Sequence, residues 1–212
     1  MGILFLDELT EFPRAHLDTL RQPLETANVT ISRISQTLTY PASFLLVGAC
    51  NPCPCGYRGD PLKYCTCTPH QADRYWSRLS GPLLDRIDLQ IEVSRLNESE
   101  LIGSFEGDSS ESMRLRVERA VLRQRQRIEQ TPGRRFVFNG QLNQREIARF
   151  CRIDETSRTV LAKAITQLGL SARAYDRVLR IARTIADLDD RDDIRVTDIA
   201  EAVRYRTRSR AS

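Results

Sequence analysis

The sequence predicts an α/β segment with an incomplete parallel sheet, followed by an all-helical region. Three features predict it. Short apolar runs near the front end in polar residues, as strands with functional tips do. A two-residue alternation lies between the first two of these runs. From Ser112 to Tyr205 the apolar residues recur three and four apart, the spacing of helices.

Taken in order, Gly2 to Leu6 is an apolar run closed by Asp7 and Glu8 and reads as a buried strand. Pro13 to Thr26 places Leu17, Leu20 and Leu24 on one helical face. Asn28 to Pro41 alternates through Val29, Ile31, Thr37 and Thr39, which predicts a β-hairpin with Arg33, Ser35 and Gln36 near its turn. Ser43 to Ala49 is a second buried strand ending at Cys50-Asn51-Pro52, and Ile87 to Val93 a third. Between them lie an irregular Cys/Pro/Gly segment to Pro69 and a helix over Gln71–Leu79. The polar stretch Gly103–Glu111 reads as a linker. Helices are then expected over Ser112–Gln130, Asn143–Phe150, Asp154–Leu168, Ala172–Leu188 and Val196–Tyr205, with Asn143, Ser171 and Thr197 as N-caps. The expected division is an α/β core over 1–103, a linker over 104–111 and a helical lid over 112–208. Three strands alone leave a parallel sheet without neighbours, so this α/β part is expected to fold poorly by itself.

Apolar residues at 41% and charged residues at 28% belong to an ordinary globular chain, and no apolar run approaches a membrane span. The first residues lack the basic n-region of a signal peptide, so a cytoplasmic location is expected. The net charge of +4 conceals an asymmetry. Residues 1–110 hold 9 Lys+Arg against 14 Asp+Glu, and residues 111–212 hold 23 against 14. The basic half could face nucleic acid or phosphates, but charge alone favours the plainer reading, helices with solvated, Arg-rich faces. Arg123, Arg125 and Arg127 wrap around one helix and read as solvated.

An apolar strand ending in adjacent acids is the Walker B arrangement. The first carboxylate, Asp7, organises Mg²⁺ on a nucleotide, and the second, Glu8, sits where a general base activates water. A strand leading into a helix cap gives the same pattern. What narrows the choice is the order of later residues. Asn51 ends the strand expected beside the first, where a polar sensor positions water. Arg86, in Leu83-Leu84-Asp85-Arg86-Ile87-Asp88-Leu89, precedes the next expected strand and suits an arginine finger. Arg173, in Ser171-Ala172-Arg173, opens a helix beyond the linker, a place for a second sensor.

Gly2–Phe12 (GILFLDELTEF), Gly48–Gly56 (GACNPCPCG), Ser80–Leu89 (SGPLLDRIDL) and Ser171–Leu188 (SARAYDRVLRIARTIADL) closely resemble the magnesium-chelatase-like ComM/YifB family of AAA+ ATPases. The resemblance covers essentially the whole chain. It implies a partial AAA+ core of the P-loop NTPase type with a C-terminal helical lid. It also implies a hexameric ring that uses ATP and Mg²⁺ and acts on DNA, associated with branch migration during uptake and recombination of transforming DNA. Asp7, Glu8, Asn51, Arg86 and Arg173 take the roles given above. In related ring motors the hairpin projects into the central pore, where Arg33, beside Ser32 and Ser35, meets phosphate oxygens without reading sequence. The family carries a Lon-protease-like domain and a G-x-x-x-x-G-K-[ST] loop ahead of the Walker B strand. Nothing in this chain matches that loop, so the chain reads as the C-terminal part of such a motor and is not expected to hydrolyse ATP alone.

Of six cysteines, five fall between Cys50 and Cys67. Cys53-Pro-Cys55 and Cys65-Thr-Cys67, nine residues apart, offer four thiolates on a short loop, a set that suits structural Zn²⁺, with His70 a spare ligand. Reduced surface cysteines are the alternative. Cys50 and Cys151 read as buried apolar fillers. Two other functions keep a place: a magnesium chelatase ATPase subunit, and a non-catalytic zinc-containing nucleic-acid-binding module whose affinity falls steeply with salt.

Overall fold

The computed structural model describes residues 2–206 apart from 34–35, 97–101, 103–106, 132 and 134–137. Its contacts fall into two units, one ending at Ile87 and the other beginning at Asp88. The first is mixed α/β with a small parallel sheet; the second is helical.

In the first unit β1 (Gly2–Leu6) pairs in parallel with β4 (Phe44–Gly48), in register from Gly2 opposite Phe44 to Leu6 opposite Gly48. Between them α1 (Arg14–Thr19) and α2 (Arg21–Thr26) replace the single expected helix. The break follows from Pro23, which has no N–H to continue a ladder through Leu20. Ala27 then turns the chain in the left-handed region (φ 54°). The hairpin forms as expected from β2 (Asn28–Arg33) and β3 (Gln36–Pro41), with Arg33 opposite Gln36. Ser35 lies outside the described residues. After the Cys-rich loop come α3 (Pro69–Trp76) and α4 (Gly81–Leu84). Leu9, Leu17, Leu79 and Leu83 make the core, with Leu6, Leu20, Leu24, Trp76 and Leu84 packed around it.

Two expectations fail here. The two parallel strands are not buried: Ile3 is 72% exposed and Phe5 58%, and Leu45 and Val47 are exposed too. Among the described residues the sheet is two strands wide, so one of its faces has nothing to pack against. The expected strand over Ile87–Val93 does not form, and residues 87–96 have no regular structure. A strand exists only through its neighbour's hydrogen bonds. This segment instead gives the Gln90 amide to the carbonyl of Tyr205, within the second unit, at 2.8 Å.

The helical unit contains α5 (Ser110–Glu129), α6 (Gln144–Phe150), α7 (Glu155–Leu168), α8 (Ala172–Leu188) and α9 (Val196–Arg204). Val178, Leu179, Ala182 and Ala186 put the buried stripe of α8 at the centre, against Ile128, Leu142, Ile147, Leu161 and Ile199. Each fully buried Leu or Ile contributes about 1.5–3 kcal/mol over its exposed state. Asn143 caps α6 in a capping box with Glu146. Ser171 stands at the N-cap of α8 but makes no cap bond, and the N-cap of α9 is Arg195, not Thr197.

The core also encloses charge. Asp187 on α8 is fully buried and is held by both terminal nitrogens of Arg127, by Nε of Arg183 (3.2 Å) and by Nδ2 of Asn139 (2.8 Å). Arg123 reaches Asp190 (3.0 Å) and Asp192 (2.5 Å). Arg123 and Arg127 are therefore structural cations rather than a solvated face; only Arg125 of the three is exposed.

Candidate functional site

Parallel pairing of β1 with β4 brings two of the expected tips side by side. Beyond the last register pair the Ala49 amide donates to the carbonyl of Leu6 (3.0 Å), and the Leu9 amide returns to the carbonyl of Ala49 (2.8 Å). The chain can return so closely because residue 48 is glycine; a Cβ there would meet Cδ2 of the buried Leu9 at 2.9 Å. Asp7 and Glu8 thus span the turn between two backbone bonds that both end on Ala49, two residues before Asn51. All three side chains are exposed.

The acids are shaped by their backbone. Oδ1 of Asp7 accepts the amide of Glu8 at 2.9 Å. Glu8 adopts the left-handed conformation (φ 50°, ψ 44°), rare for a side-chain-bearing residue and associated with strained functional positions. Two exposed carboxylates at a strand end suit a hydrated divalent cation with its anionic ligand.

Arg86 stands elsewhere in this unit. It follows α4 rather than preceding a strand, and its guanidinium donates to the carbonyl of Pro82 (2.7 Å) and pairs with Glu25 of α2. Only 12% of its side chain is exposed, and it borders a cavity of about 530 Å³ with Asp18, Arg21, Glu25 and Thr30. To reach out, it must first leave Glu25. Arg33 is exposed at the end of β2, while Ser32 shares a hydrogen bond with Thr37 across the hairpin (3.3 Å). Arg173, exposed in the first turn of α8, belongs to the helical unit.

The four loop cysteines converge. The sulfurs of Cys53 and Cys55 are 3.3 Å apart, Cys53 and Cys65 3.6 Å, and Cys55 and Cys65 3.5 Å, and all four ligand atoms, Cys67 included, lie within 4.8 Å of one another. Disulfide sulfurs would sit about 2.05 Å apart. Sulfurs at about 2.3 Å from one tetrahedral Zn²⁺ would be about 3.8 Å apart, close to what is found. The amide of Tyr57 holds the Cys55 thiol down to about 5, and burial pushes that of Cys67 up to about 12. His70 is exposed in the first turn of α3 and is not part of the group. Cys151 is buried, and burial pushes its thiol up to about 11. Cys50 is exposed, against expectation, because it lies past the end of β4.

One contact had no sequence signal beyond the presence of a single tryptophan. Nε1 of Trp76 donates to the carbonyl of Pro52 at 2.7 Å, tying α3 to the residue between Asn51 and Cys53. The cap of α3 begins where the cysteine cluster ends. Thr68, next to Cys67, exchanges bonds with Gln71 at 3.2 and 2.8 Å.

A small parallel sheet with acids and an asparagine at adjacent strand ends, joined in one chain to a helical region, is consistent with a partial AAA+-like fold. Residues 1–101 match the family described as magnesium chelatase, subunit ChlI, and residues 107–206 match its C-terminal region. The chain belongs to this magnesium-chelatase-like family, in its ComM/YifB branch. It is 44% identical over 206 residues to the competence protein ComM of Haemophilus influenzae and 42% identical over 207 residues to the uncharacterized protein YifB of Escherichia coli. An uncharacterized protein of Mycobacterium tuberculosis is 35% identical over 205 residues. Each comparison covers 97% of this chain but only 39–40% of the relative, so the chain spans about two-fifths of the curated relatives' length. Among the described residues no helix is long and apolar enough to cross a membrane.

Proposed function

We propose that this chain supplies the C-terminal part of an ATP-driven AAA+ ring motor, hexameric and cytoplasmic, that remodels DNA during uptake and recombination. The reading is supported above all by the β1–β4 pairing, which sets Asp7 and Glu8 beside the strand end leading to Asn51. Identity of 44% to a protein named for competence points the substrate toward DNA. The division into core (1–103), linker (104–111) and lid (112–208) belongs to the same proposal.

In this motor Asp7 holds Mg²⁺ through its carboxylate, and Glu8 takes the proton of the attacking water. Asn51 orients that water. Arg86 turns from Glu25 toward a neighbouring subunit's nucleotide, and Arg173 serves as second sensor. Bound ATP–Mg²⁺ supplies the phosphoryl group and its charge neutralisation. Arg33 on the hairpin meets DNA phosphates. Cys53, Cys55, Cys65 and Cys67 hold a structural Zn²⁺; four thiolates leave it no open position for chemistry.

The test joins this chain behind the front part of the ComM relative and measures ATP turnover with and without branched DNA. Stimulation by branched DNA that disappears in Glu8→Gln, with nucleotide binding retained, is expected. Turnover indifferent to DNA and to Glu8 would refute the motor. The matched family description names a chelatase subunit, so a second arm adds a porphyrin-binding subunit; stimulation by it alone would place the chain in metal insertion instead.

A further inference from the structure

The Cys-rich loop leaves β4 through Asn51-Pro52-Cys53-Pro54-Cys55 and enters α3 through Cys67-Thr68. Residues 52–67 contain no helix or strand. Their internal backbone bonds are short-range, from the Gly56 amide to Cys53 and from the Asp60 amide to Tyr57. Lys63 lies over the Tyr57 ring at 4.8 Å, a local contact as well. What joins the two ends of the loop is the sulfur cluster, in which Cys53 has no exposed surface.

Asn51 is one residue from that cluster, and that residue is proline. Its ring fixes φ, and a following proline also restricts the residue before it. Pro52 restricts Asn51 in this way, and Pro54 restricts Cys53. Slack between the first sulfur and the asparagine is therefore small. The carbonyl of Pro52 is pinned from the other side by Trp76, whose helix begins at Pro69, with only Thr68 between it and Cys67.

We propose that the four-cysteine centre, by binding a thiophilic divalent cation, sets the position of Asn51, and that Trp76 is the strut completing the clamp. Cys53 and Trp76 are positioning residues in this scheme: they act on the asparagine and touch no substrate. Loss of the cation frees both ends of the loop and lets Asn51 leave its place beside Ala49. Metal supply then regulates the motor through its sensor. The functional consequence rests on the proposed role of Asn51, but the mechanical coupling can be measured without nucleotide.

The experiment uses this chain and the metals alone. Titration with Co²⁺ is expected to give the intense sulfur-to-metal absorption of a tetrathiolate site at one equivalent. Titration with Zn²⁺, which does not quench fluorescence, is expected to shift the emission of Trp76, the chain's single tryptophan, at the same stoichiometry. Hydrogen exchange of the peptide covering residues 49–53 should slow by about tenfold or more on Zn²⁺ binding, while exchange in α5 stays constant. Trp76→Phe should keep the Co²⁺ spectrum and lose most of the protection at 49–53. Cys65→Ser should lose both signals; reversal by a chelator on the parent chain controls for any change in the folding of that variant. No thiolate band would overturn the metal centre and the coupling together. A full band with unchanged emission and exchange would overturn the coupling alone. Coupling present in a chain whose ComM chimera shows no ATP turnover would leave the clamp standing and sink the motor reading.

Discussion

Arg127 and Asp187, sixty positions apart, form a two-pronged pair in which the carboxylate has no exposed surface and the guanidinium little. Arg183 and Asn139 complete the shell of Asp187, so its buried charge is fully hydrogen-bonded. Such a pair adds little over a well-packed apolar substitute, yet breaking it from one side is costly.

Arg127→Ala should therefore destabilise the helical unit by about 3–5 kcal/mol, because Asp187 loses its main partner while remaining buried. Arg125→Ala, on the exposed side of the same helix, should change stability by about 0.5 kcal/mol or less. Urea unfolding followed by helix ellipticity distinguishes the two.

Glu8 holds a left-handed backbone conformation that costs an L-residue about 1–2 kcal/mol. Glu8→Gly should stabilise the first unit, by about 1 kcal/mol or less once the added freedom of the unfolded chain is counted. A higher denaturation midpoint in the variant checks it; a lower one would mean that the side chain contributes to folding.

Burial pushes the Asp198 carboxyl up, but hydrogen bonds from Arg191 and from the Arg195 amide outweigh this and hold it below its ordinary range. A carboxylate depressed in the folded state adds stability above its unfolded value, about 3.9, and loses that contribution as pH falls through the folded value. Asp198→Asn should thus be less stable than the parent at pH 7, with the gap closing below about pH 4. Urea midpoints from pH 7 to pH 3 measure it.

Asn143 accepts the Glu146 amide at 3.0 Å, whereas Ser171 makes no cap bond. Asn143→Ala should cost about 1 kcal/mol, and Ser171→Ala distinctly less. Equal losses would mean that the α8 cap forms in solution.

Features carried by neighbouring residues were legible in the sequence. Cys53, Cys55, Cys65 and Cys67 advertised their cluster by spacing, and the alternation from Asn28 to Pro41 its hairpin. Ile87–Val93 misled because its composition suits a strand, while strand formation depends on a partner that composition does not contain. Arg127 and Asp187 were invisible as a pair for a related reason: only the packing of α5 on α8 joins them. Arg86 was read by its place in a motif, but its present partner, Glu25, lies on a helix far earlier in the chain.

The two-stranded sheet has a practical consequence. Among the described residues, each strand keeps one row of amides and carbonyls without a ladder partner, next to the oily side chains of Ile3, Phe5, Leu45 and Val47. Such rims recruit further strands from whatever chain is nearest, including identical copies. Self-association at high concentration is therefore the hazard for this chain in isolation, and a soluble fusion partner is the sensible way to prepare it.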